Sequence, residues 1–267
     1  MPATPLIALL TDFGTADGYV GVMKGVMLNI AAPVPLIDIT HEIAPQDVRS
    51  GAWVLHISWR YFPAHSIFLC VVDPGVGSAR RAVALQAAKR IFVGPDNGLF
   101  SYVLDAETVE SAVALDNPRF HLPAPTSTFH GRDIFAPSAA HLASGVSLDQ
   151  LGSAVSPETL VTLALPRPEW QGDTLVAHVV HVDRYGNLIT DIGSDLASAI
   201  LTAPIASLKV DGHLVIARAR TFAEGADGEP FFLLDSSGYL AIAVRNGSAA
   251  AVLGVGRDAE VQLHRLT

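Results

Sequence analysis

The sequence is short of charged side chains. Of its 267 residues, 16% are charged and 50% are apolar, whereas about 25% are charged in typical soluble domains. This composition excludes intrinsic disorder, which requires low hydrophobicity and high net charge. The length allows one large domain or two modest ones, each with its own core. Because so few charges are left for the surface, we expect part of that surface to be covered by a partner subunit.

Basic residues are scarcer still. There are 17 Lys and Arg against 26 Asp and Glu, a net charge of −9, so a nucleic-acid partner is not expected. No apolar run reaches about 18 residues, the length that would indicate a membrane span. The N-terminal MPATPLIALLTDF lacks the positive region of a signal peptide. The single cysteine, Cys70, cannot form an internal disulfide. We therefore expect a cytoplasmic protein with no membrane or nucleic-acid partner.

Apolar runs alternate with amphipathic stretches over residues 1–165. The runs predicted as strands are PLIALL (5–10), VPLIDI (34–39), SIFLCVVD (66–73), AVALQA (82–87) and RIFVG (90–94). The stretches predicted as helices are residues 18–30, 47–62, where Asp47 is the N-cap, and 132–145. Continuous Val, Ile and Leu strands separated by helices predict an α/β domain whose mostly parallel sheet is covered by helices.

The pattern changes at the proline-rich LPRPEW (165–170), which is typical of a linker. Short β-rich runs separated by Gly, Asn and Ser turns follow it, among them TLVAHVVHVD, NLITDI, SLKVDGHLVI, PFFLLD, YLAIAV and VQLHRL. They predict a small antiparallel domain, a barrel or a sandwich, over residues 170–267.

Acidic, glycine-bearing loops follow several predicted strands. They contain Asp12 and Asp17, Asp73 with Arg80 and Arg81, and Asp96 with Asn97; a further segment contains His130, Arg132 and Asp133. Ligands of open α/β sheets bind beyond the carboxyl ends of the strands, so these side chains would suit a polar, hydroxyl-bearing and cationic ligand. The alternative stays open that each Asp forms a turn or caps a helix, and that His130 is structural.

Several known chemistries lack their motifs here. The sequence has no G-x-G-x-x-G, P-loop, H-E-x-x-H, C-x-x-C or G-x-S-x-G pattern, so we expect neither a cofactor nor a metal site. Cys70 lies in the apolar run IFLCVV, where a thiolate is disfavoured. In the second domain, Tyr185 could stack on a base while Asn187 contacts its polar edge, with Asp183 facing a cation. A tight hairpin turn at residues 185–187 is the alternative.

Taken together, six collinear motifs between residues 9 and 247 resemble one family. They are TDFGTADGYVG, VVDPGVGSARR, GPDNGLF, TFHGRDIFAP, DRYGNL and RNG. The resemblance is to the S-adenosylmethionine (SAM) hydroxide adenosyltransferases, the hydrolase relatives of the fluorinating and chlorinating enzymes. It implies an N-terminal α/β domain and a C-terminal β-barrel-like domain. It also implies a homotrimer whose active sites lie between the N-terminal domain of one subunit and the C-terminal domain of its neighbour.

The resemblance also implies roles for individual residues. Asp73, Arg80 and His130 match the set associated with water activation, and Asp12 matches the carboxylate that holds the ribose hydroxyls. The positions around the methionine amino and carboxylate groups are matched by Asp17, Asp183 and Ser237. The adenine pocket is matched by Asn187, Phe222, Arg245 and Asn246, with Tyr185 and Phe129 as its walls.

Two positions distinguish this chain from the halogenating branch. Asp73 stands where that branch has a non-acidic residue, and Gly131 stands where it has a halide-contacting hydroxyl. We therefore expect SAM hydrolysis to adenosine and L-methionine, with His130 and Asp73 orienting the water and receiving its proton. Arg80 would fix Asp73 and lower the pKa of the attacking water. A halide-dependent adenosyltransferase, a non-catalytic SAM or adenosine sensor and a metal-dependent hydrolase are the alternatives.

Overall fold

The structure is a computed structural model that describes residues 5–202 and 205–265, with residues 205–207 and 265 described by their backbone alone. The chain divides into two compact units between Ala164 and Leu165.

Within residues 5–164, six strands form one sheet. They are β1 (Ile7–Thr11), β2 (Leu36–Thr40), β3 (Ile67–Val71), β4 (Ala82–Ala87), β5 (Arg90–Pro95) and β6 (Val109–Ala114). Their order is β2-β1-β3-β5-β4-β6. The first four strands in that order run parallel, and β4 runs antiparallel to both of its neighbours. The prediction of a mostly parallel sheet is confirmed.

Helices cover both faces of this sheet. They are α1 (Tyr19–Ile30), α2 (Val48–Ser58), α3 (Ser101–Ala106) and α4 (Ala136–Ala143). Alternate residues of β1 point into different cores: Ile7 and Leu9 pack with residues of α1 and α4, whereas Ala8 and Leu10 pack with residues of α2 and α3. Burial on both faces explains why the strands are continuously apolar. As predicted, Asp47 caps α2, accepting a hydrogen bond from the Ser50 amide at 3.0 Å.

Within residues 165–202 and 205–265, nine strands form a nearly closed, barrel-like sheet. They are β7 (Glu169–Gln171), β8 (Thr174–Val182), β9 (Leu188–Gly193), β10 (Ile205–Val210), β11 (His213–Val215), β12 (Ala217–Arg218), β13 (Pro230–Leu234), β14 (Tyr239–Val244) and β15 (Glu260–Arg265). The main path runs β11-β10-β15-β8-β9-β14-β13-β12, and β7 pairs with β8. One residue, Ile216, separates β11 from β12, so the chain itself joins the two ends of the path.

The expectation of an antiparallel domain needs one correction. β12 pairs parallel to β13, because the chain returns through a long connection that contains a short 3₁₀ helix, Phe222–Glu224, and not through a hairpin. The other strand pairings recorded for this unit are antiparallel, and an isolated bridge between Asp227 and Arg245 is parallel. Two short helices, α5 (Ser194–Thr202) and α6 (Ala249–Leu253), accompany the sheet. In the described ranges of either unit, no helix is both long and apolar enough to span a membrane.

Candidate active site

The acidic loops of the N-terminal unit follow the ends of parallel strands. Asp12 follows β1, Asp73 follows β3 and Asp96 follows β5, so all three lie at the carboxyl edge of the sheet. A cavity of about 440 Å³ is lined there by eleven residues: Phe13, Tyr19, Val71, Asp73, Val76, Thr126, Thr128, Phe129, His130, Gly131 and Arg132.

Asp73 and Arg80 form a buried ion pair at this cavity. Their side chains are 5% and 10% exposed. The Arg80 Nε atom donates to Oδ1 at 2.8 Å and to Oδ2 at 3.0 Å, and Nη2 also contacts Oδ2. Such two-pronged contact with a carboxylate fixes the plane of the guanidinium as well as its position. The loop between the two residues contains Gly77, which has a φ of +77° and lies so close to Ser127 that a Cβ would be 2.5 Å from the carbonyl oxygen.

His130 completes this cluster. The Arg80 Nη2 atom lies 2.8 Å from His130 Nδ1. A guanidinium can only donate, so Nδ1 accepts, and the neutral ring carries its proton on Nε2. Burial, and then the charge of Arg80, lower the pKa of His130 below its ordinary value. The ring is therefore neutral near pH 7 and presents an N–H donor at Nε2.

A π-helical turn holds both His130 and a support for Arg80. The turn spans Gly131–Phe135 directly after His130 and continues into α4. π-helical turns occur frequently at functional sites. The buried Phe135 ring lies 5.2 Å from the Arg80 guanidinium carbon, a distance that allows a cation–π contact. The π-helical turn thus places the His130 ring and the Phe135 ring against the same guanidinium, that of Arg80.

Three aromatic rings form the apolar side of the cavity. Phe13, Tyr19 and Phe129 meet edge to face, with ring centroids 5.3–6.0 Å apart. Gly131 packs against them: a Cβ there would lie 3.1 Å from Phe129 and 3.3 Å from both Phe13 and Met23. A larger residue at position 131, serine included, would therefore require these side chains to shift by a few tenths of an ångström.

A buried carboxylate fixes the segment that precedes His130. Asp133 is buried and accepts hydrogen bonds from the Thr126 amide at 2.8 Å and from the Thr126 hydroxyl at 2.7 Å. Arg132 Nε donates to the same carboxylate at 2.6 Å, and the Arg132 guanidinium lies over the Phe129 ring. Asp133 therefore positions one wall of the cavity.

A second cavity, of about 540 Å³, belongs to the C-terminal unit. It is lined by Tyr185, Asn187, Phe222, Ala223, Val244, Arg245, Asn246 and Gly247. These include every residue that the resemblance assigns to the adenine pocket from this unit. Tyr185 and Phe222 are 77% and 49% exposed, so they offer aromatic faces to a ligand. Arg245 Nη1 donates to the Ala223 carbonyl at 3.3 Å and so holds the segment that carries Phe222.

Asp183 stabilises the hairpin turn and holds Asn187, which lines this cavity. Its Oδ1 accepts from the amides of Tyr185 and Asn187 at 2.9 Å, and its Oδ2 accepts from Asn187 Nδ2 at 2.7 Å. These contacts are those of the hairpin turn that the sequence offered as the alternative. Because Asp183 also holds the Asn187 side-chain nitrogen, it fixes the direction of the Asn187 amide oxygen.

Some candidate residues lie apart from these cavities. Among the candidate site residues, five are not part of the lining of either cavity: Asp12, Asp17, Asp183, Ser237 and Arg80, which lies behind Asp73 and His130. Asp12 Oδ2 accepts from the Gln46 amide at 2.7 Å, Asp17 is exposed before α1, and the Ser237 hydroxyl donates to Asp235.

Sequence reasoning did not assign roles to Phe13 or Tyr19. The signal was present, because Phe13 lies inside the TDFG motif and Tyr19 begins α1.

Cys70 is fully buried, and burial raises the pKa of its thiol, so it has no role as a thiolate. No three His, Cys, Asp or Glu side chains in the described ranges are grouped to hold a metal ion.

Comparison with known proteins places this geometry in a family. Residues 7–152 match the SAM hydroxide adenosyltransferase N-terminal domain, and residues 177–262 match the C-terminal domain. The chain is 44% identical to an (R)-S-adenosyl-L-methionine hydrolase of Salinispora tropica over 96% of each chain. It is 34% identical to a fluorinase of an Actinoplanes species over 94% of this chain and 95% of that one.

A solved structure has the same fold. It is an uncharacterized conserved protein from Thermotoga maritima, with a TM-score of 0.90 and 34% identity over 97% of this chain and 100% of that chain. The two family models together cover most of both units, including the residues that line both cavities and every strand except β7 and the ends of β8 and β15. The chain belongs to the SAM hydroxide adenosyltransferase family.

Proposed function

We propose that this chain hydrolyses S-adenosyl-L-methionine, releasing adenosine and L-methionine without a cofactor or a metal ion. The buried cluster of Asp73, Arg80 and His130 beside an aromatic wall carries the proposal. The hydrolases among the relatives are also more similar to the chain than the fluorinases are.

The chemistry requires an aligned water and an acceptor for its proton. The water oxygen bonds to the ribose C5′ as the C5′–S bond breaks, and the electron pair of that bond goes to sulfur. Because the leaving group is a neutral thioether, it needs no protonation. His130 donates from Nε2 to the water oxygen, and Asp73 accepts the water proton. Arg80 lowers the pKa of the attacking water through its charge.

This division of labour refines the expectation from sequence, in which His130 also receives the proton. With Nδ1 accepting from Arg80 at 2.8 Å and the proton on Nε2, the neutral ring orients the water as a donor. Asp73 retains lone pairs beside its bonds from Arg80, so it is the acceptor in this scheme.

The remaining candidate residues bind the rest of the substrate. Asp12 holds the ribose hydroxyls, and Asp17, Asp183 and Ser237 surround the methionine amino and carboxylate groups. Adenine stacks on Phe222 and is contacted by Asn187, Arg245 and Asn246, with Tyr185 and Phe129 as apolar walls. The exposed rings and the fixed amide of Asn187 support this assignment. SAM carries two cationic groups and one carboxylate, which suits a carboxylate-rich site.

We place the protein in the cytoplasm and expect a homotrimer in which each active site joins cavities from two subunits. The two cavities divide the required groups, the acid–base cluster being in one unit and the aromatic pocket in the other. Mixing the variants Asp73→Asn, impaired in kcat, and Phe222→Ala, impaired in SAM binding, tests this assembly at a SAM concentration well below the KM of Phe222→Ala. Sites shared between subunits regain activity in mixed oligomers, because some sites combine two unchanged halves. Sites within one chain regain none.

Incubation with SAM in ¹⁸O-labelled water tests the reaction itself. The expected products are L-methionine and adenosine that carries the label on its 5′-hydroxyl. Unlabelled adenosine would reject direct attack by water, and 5′-chloro-adenosine formed with added chloride would identify a halide-dependent enzyme. Binding of SAM without methionine release would indicate a sensor. Loss of activity with a chelator would indicate a metal-dependent hydrolase.

A further inference from the structure

Two consecutive residues after β5 contact both ends of the loop that carries Asp73 and Arg80. Asn97 Nδ2 donates to the carbonyl oxygen of Val72, the residue before Asp73, at 2.8 Å. Asp96 contacts Arg81, the residue after Arg80: its amide donates to the Arg81 carbonyl at 3.0 Å. Its Oδ2 also accepts from Arg81 Nε at 2.8 Å. The loop from Asp73 to Arg80 therefore begins and ends at one dipeptide.

The dipeptide is itself firmly held. The Asp96 side chain is buried, and its Oδ1 accepts from the Val161 amide at 2.8 Å. Asn97 Oδ1 accepts from the Leu99 amide at 3.2 Å, just before α3. Arg81 also donates from Nη1 to the Thr159 hydroxyl at 3.0 Å. Contacts on several sides make the dipeptide a fixed support for the loop.

Apart from the ion pair itself, the hydrogen bonds inside the loop do not tie Asp73 to Arg80. They are short-range turns, with the Ser78 amide and hydroxyl donating to the Gly75 carbonyl at 3.1 and 2.7 Å. The approach of Arg80 to Asp73 and His130 thus depends on how the two ends of the loop are held. A displacement of about 1 Å in a reacting group can reduce a rate by about 100-fold.

We propose that Asp96 and Asn97 are positioning residues, which hold the two ends of the Asp73–Arg80 loop so that Arg80 meets both Asp73 and His130. The effect on turnover rests on the proposed function, but the effect on Arg80 and His130 does not.

Asn97→Ala tests this, and the chain offers a matched control. Asn117 makes the same pair of bonds elsewhere: its Nδ2 donates to the Gln150 carbonyl at 2.7 Å, and its Oδ1 accepts from the Arg119 amide at 3.2 Å. Asn117→Ala therefore removes equivalent hydrogen bonds without releasing the loop. We expect Asn97→Ala to lower kcat by about 10- to 100-fold with KM for SAM within about threefold. Asn117→Ala should leave both unchanged.

The His130 ring provides a second readout that needs no turnover. Its titration can be followed by NMR with ¹⁵N-labelled histidine, assigned with a His130→Ala variant. Its charged and titratable neighbours are Arg80, Asp73, Asp133 and His121, and burial and Arg80 lower its pKa. Release of the loop should therefore raise the pKa of His130 in Asn97→Ala and leave it unchanged in Asn117→Ala.

The outcomes are separable. Folded Asn97→Ala with the kcat and His130 titration of the wild type would overturn the inference. If Asn97→Ala does not fold, Asp96→Asn provides the same two readouts, since it removes the charge opposite Arg81 and keeps the size of the side chain. If the wild type releases no methionine from SAM, the proposed function fails, and the His130 titration still decides the positioning role.

Discussion

Replacing Asp73 with Asn removes one charge from the site and preserves its shape. Arg80 is 10% exposed and would lose its ionic partner. The amide nitrogen of the new asparagine is a hydrogen-bond donor, as the Arg80 guanidinium is, so the two groups would not pair there. Removing one member of a buried ion pair costs about 3–5 kcal/mol of unfolding free energy. We expect about 3 kcal/mol, the low end of that range, because Asp73 lines a cavity that water can enter. Because the substitution also removes the proton acceptor, it should lower kcat by about 10²–10⁴-fold.

A second variant separates these two effects. Asp73→Asn combined with Arg80→Met removes both charges, so no unpaired cation is left buried, and much of the lost stability should return. The kcat should stay low, because the acceptor is still missing. Urea unfolding followed by tryptophan fluorescence measures stability, since Trp53 and Trp59 are buried in the same unit. Chromatography of released adenosine measures kcat.

The exposed pair of Arg220 and Glu224 provides the control. Its Nη2–Oε1 distance is 3.1 Å and its arginine is 91% exposed, so Glu224→Gln should leave unfolding unchanged within error. A kcat within about fivefold of the wild type in Asp73→Asn would remove Asp73 from proton transfer, because that change lies far below the range for a general base. Equal unfolding of the Asp73→Asn and Glu224→Gln variants would refute the argument from burial.

Two further predictions concern other parts of the chain. Phe222→Ala should weaken SAM binding by about 1–3 kcal/mol, the contribution of a ring stacked on a base; calorimetry measures it, and unchanged affinity would place adenine elsewhere. Burial lowers the pKa of His56 to about 4, whereas a histidine in the unfolded chain has a pKa near 6.5. As the pH falls from 6.5 to 4, the unfolded state therefore binds a proton that the folded state does not, and the fold is destabilised. The His56→Phe variant retains a ring that can stack on Tyr102 but has no group to titrate. Between pH 7.5 and pH 4.5 it should therefore lose about 2.5 kcal/mol less unfolding free energy than the wild type. Urea unfolding at both pH values checks this, and equal losses in the two proteins would contradict it.

Long apolar runs were the part of the fold that sequence could predict. β1 and β3, with the sequences IALLT and IFLCV, are buried on both faces, so they appear in the sequence as almost unbroken apolar runs. α3, with the sequence SYVLDA, is six residues long and too short to show a helical period. β6, with the sequence VESAVA, is partly exposed and polar at its start. Tertiary packing determines such short elements more than their own pattern does.

The site shows the same limit at the level of single atoms. The sequence could place Asp73, Arg80 and His130 on loops at one edge of a sheet. It could not show that Arg80 contacts both partners, because that contact depends on a π-helical turn and on a loop held at both ends by Asp96 and Asn97. The tautomer of His130 follows from its contact with Arg80, and that contact exists only once the turn and the loop are in place.

The arrangement of the three side chains also bears on the choice of nucleophile. With His130 neutral, the charges of Asp73 and Arg80 cancel, so the cluster offers no net attraction to an anion. A water molecule would find one acceptor in Asp73 and one donor in His130 Nε2–H, which matches its own donor and acceptor groups. A halide ion would find a carboxylate on one side and, at Gly131, a backbone packed too tightly to add a hydroxyl side chain without moving Phe13, Met23 and Phe129. The features that favour water thus reinforce one another: the cluster offers water a matching acceptor and donor, and Gly131 supplies no hydroxyl group to a halide.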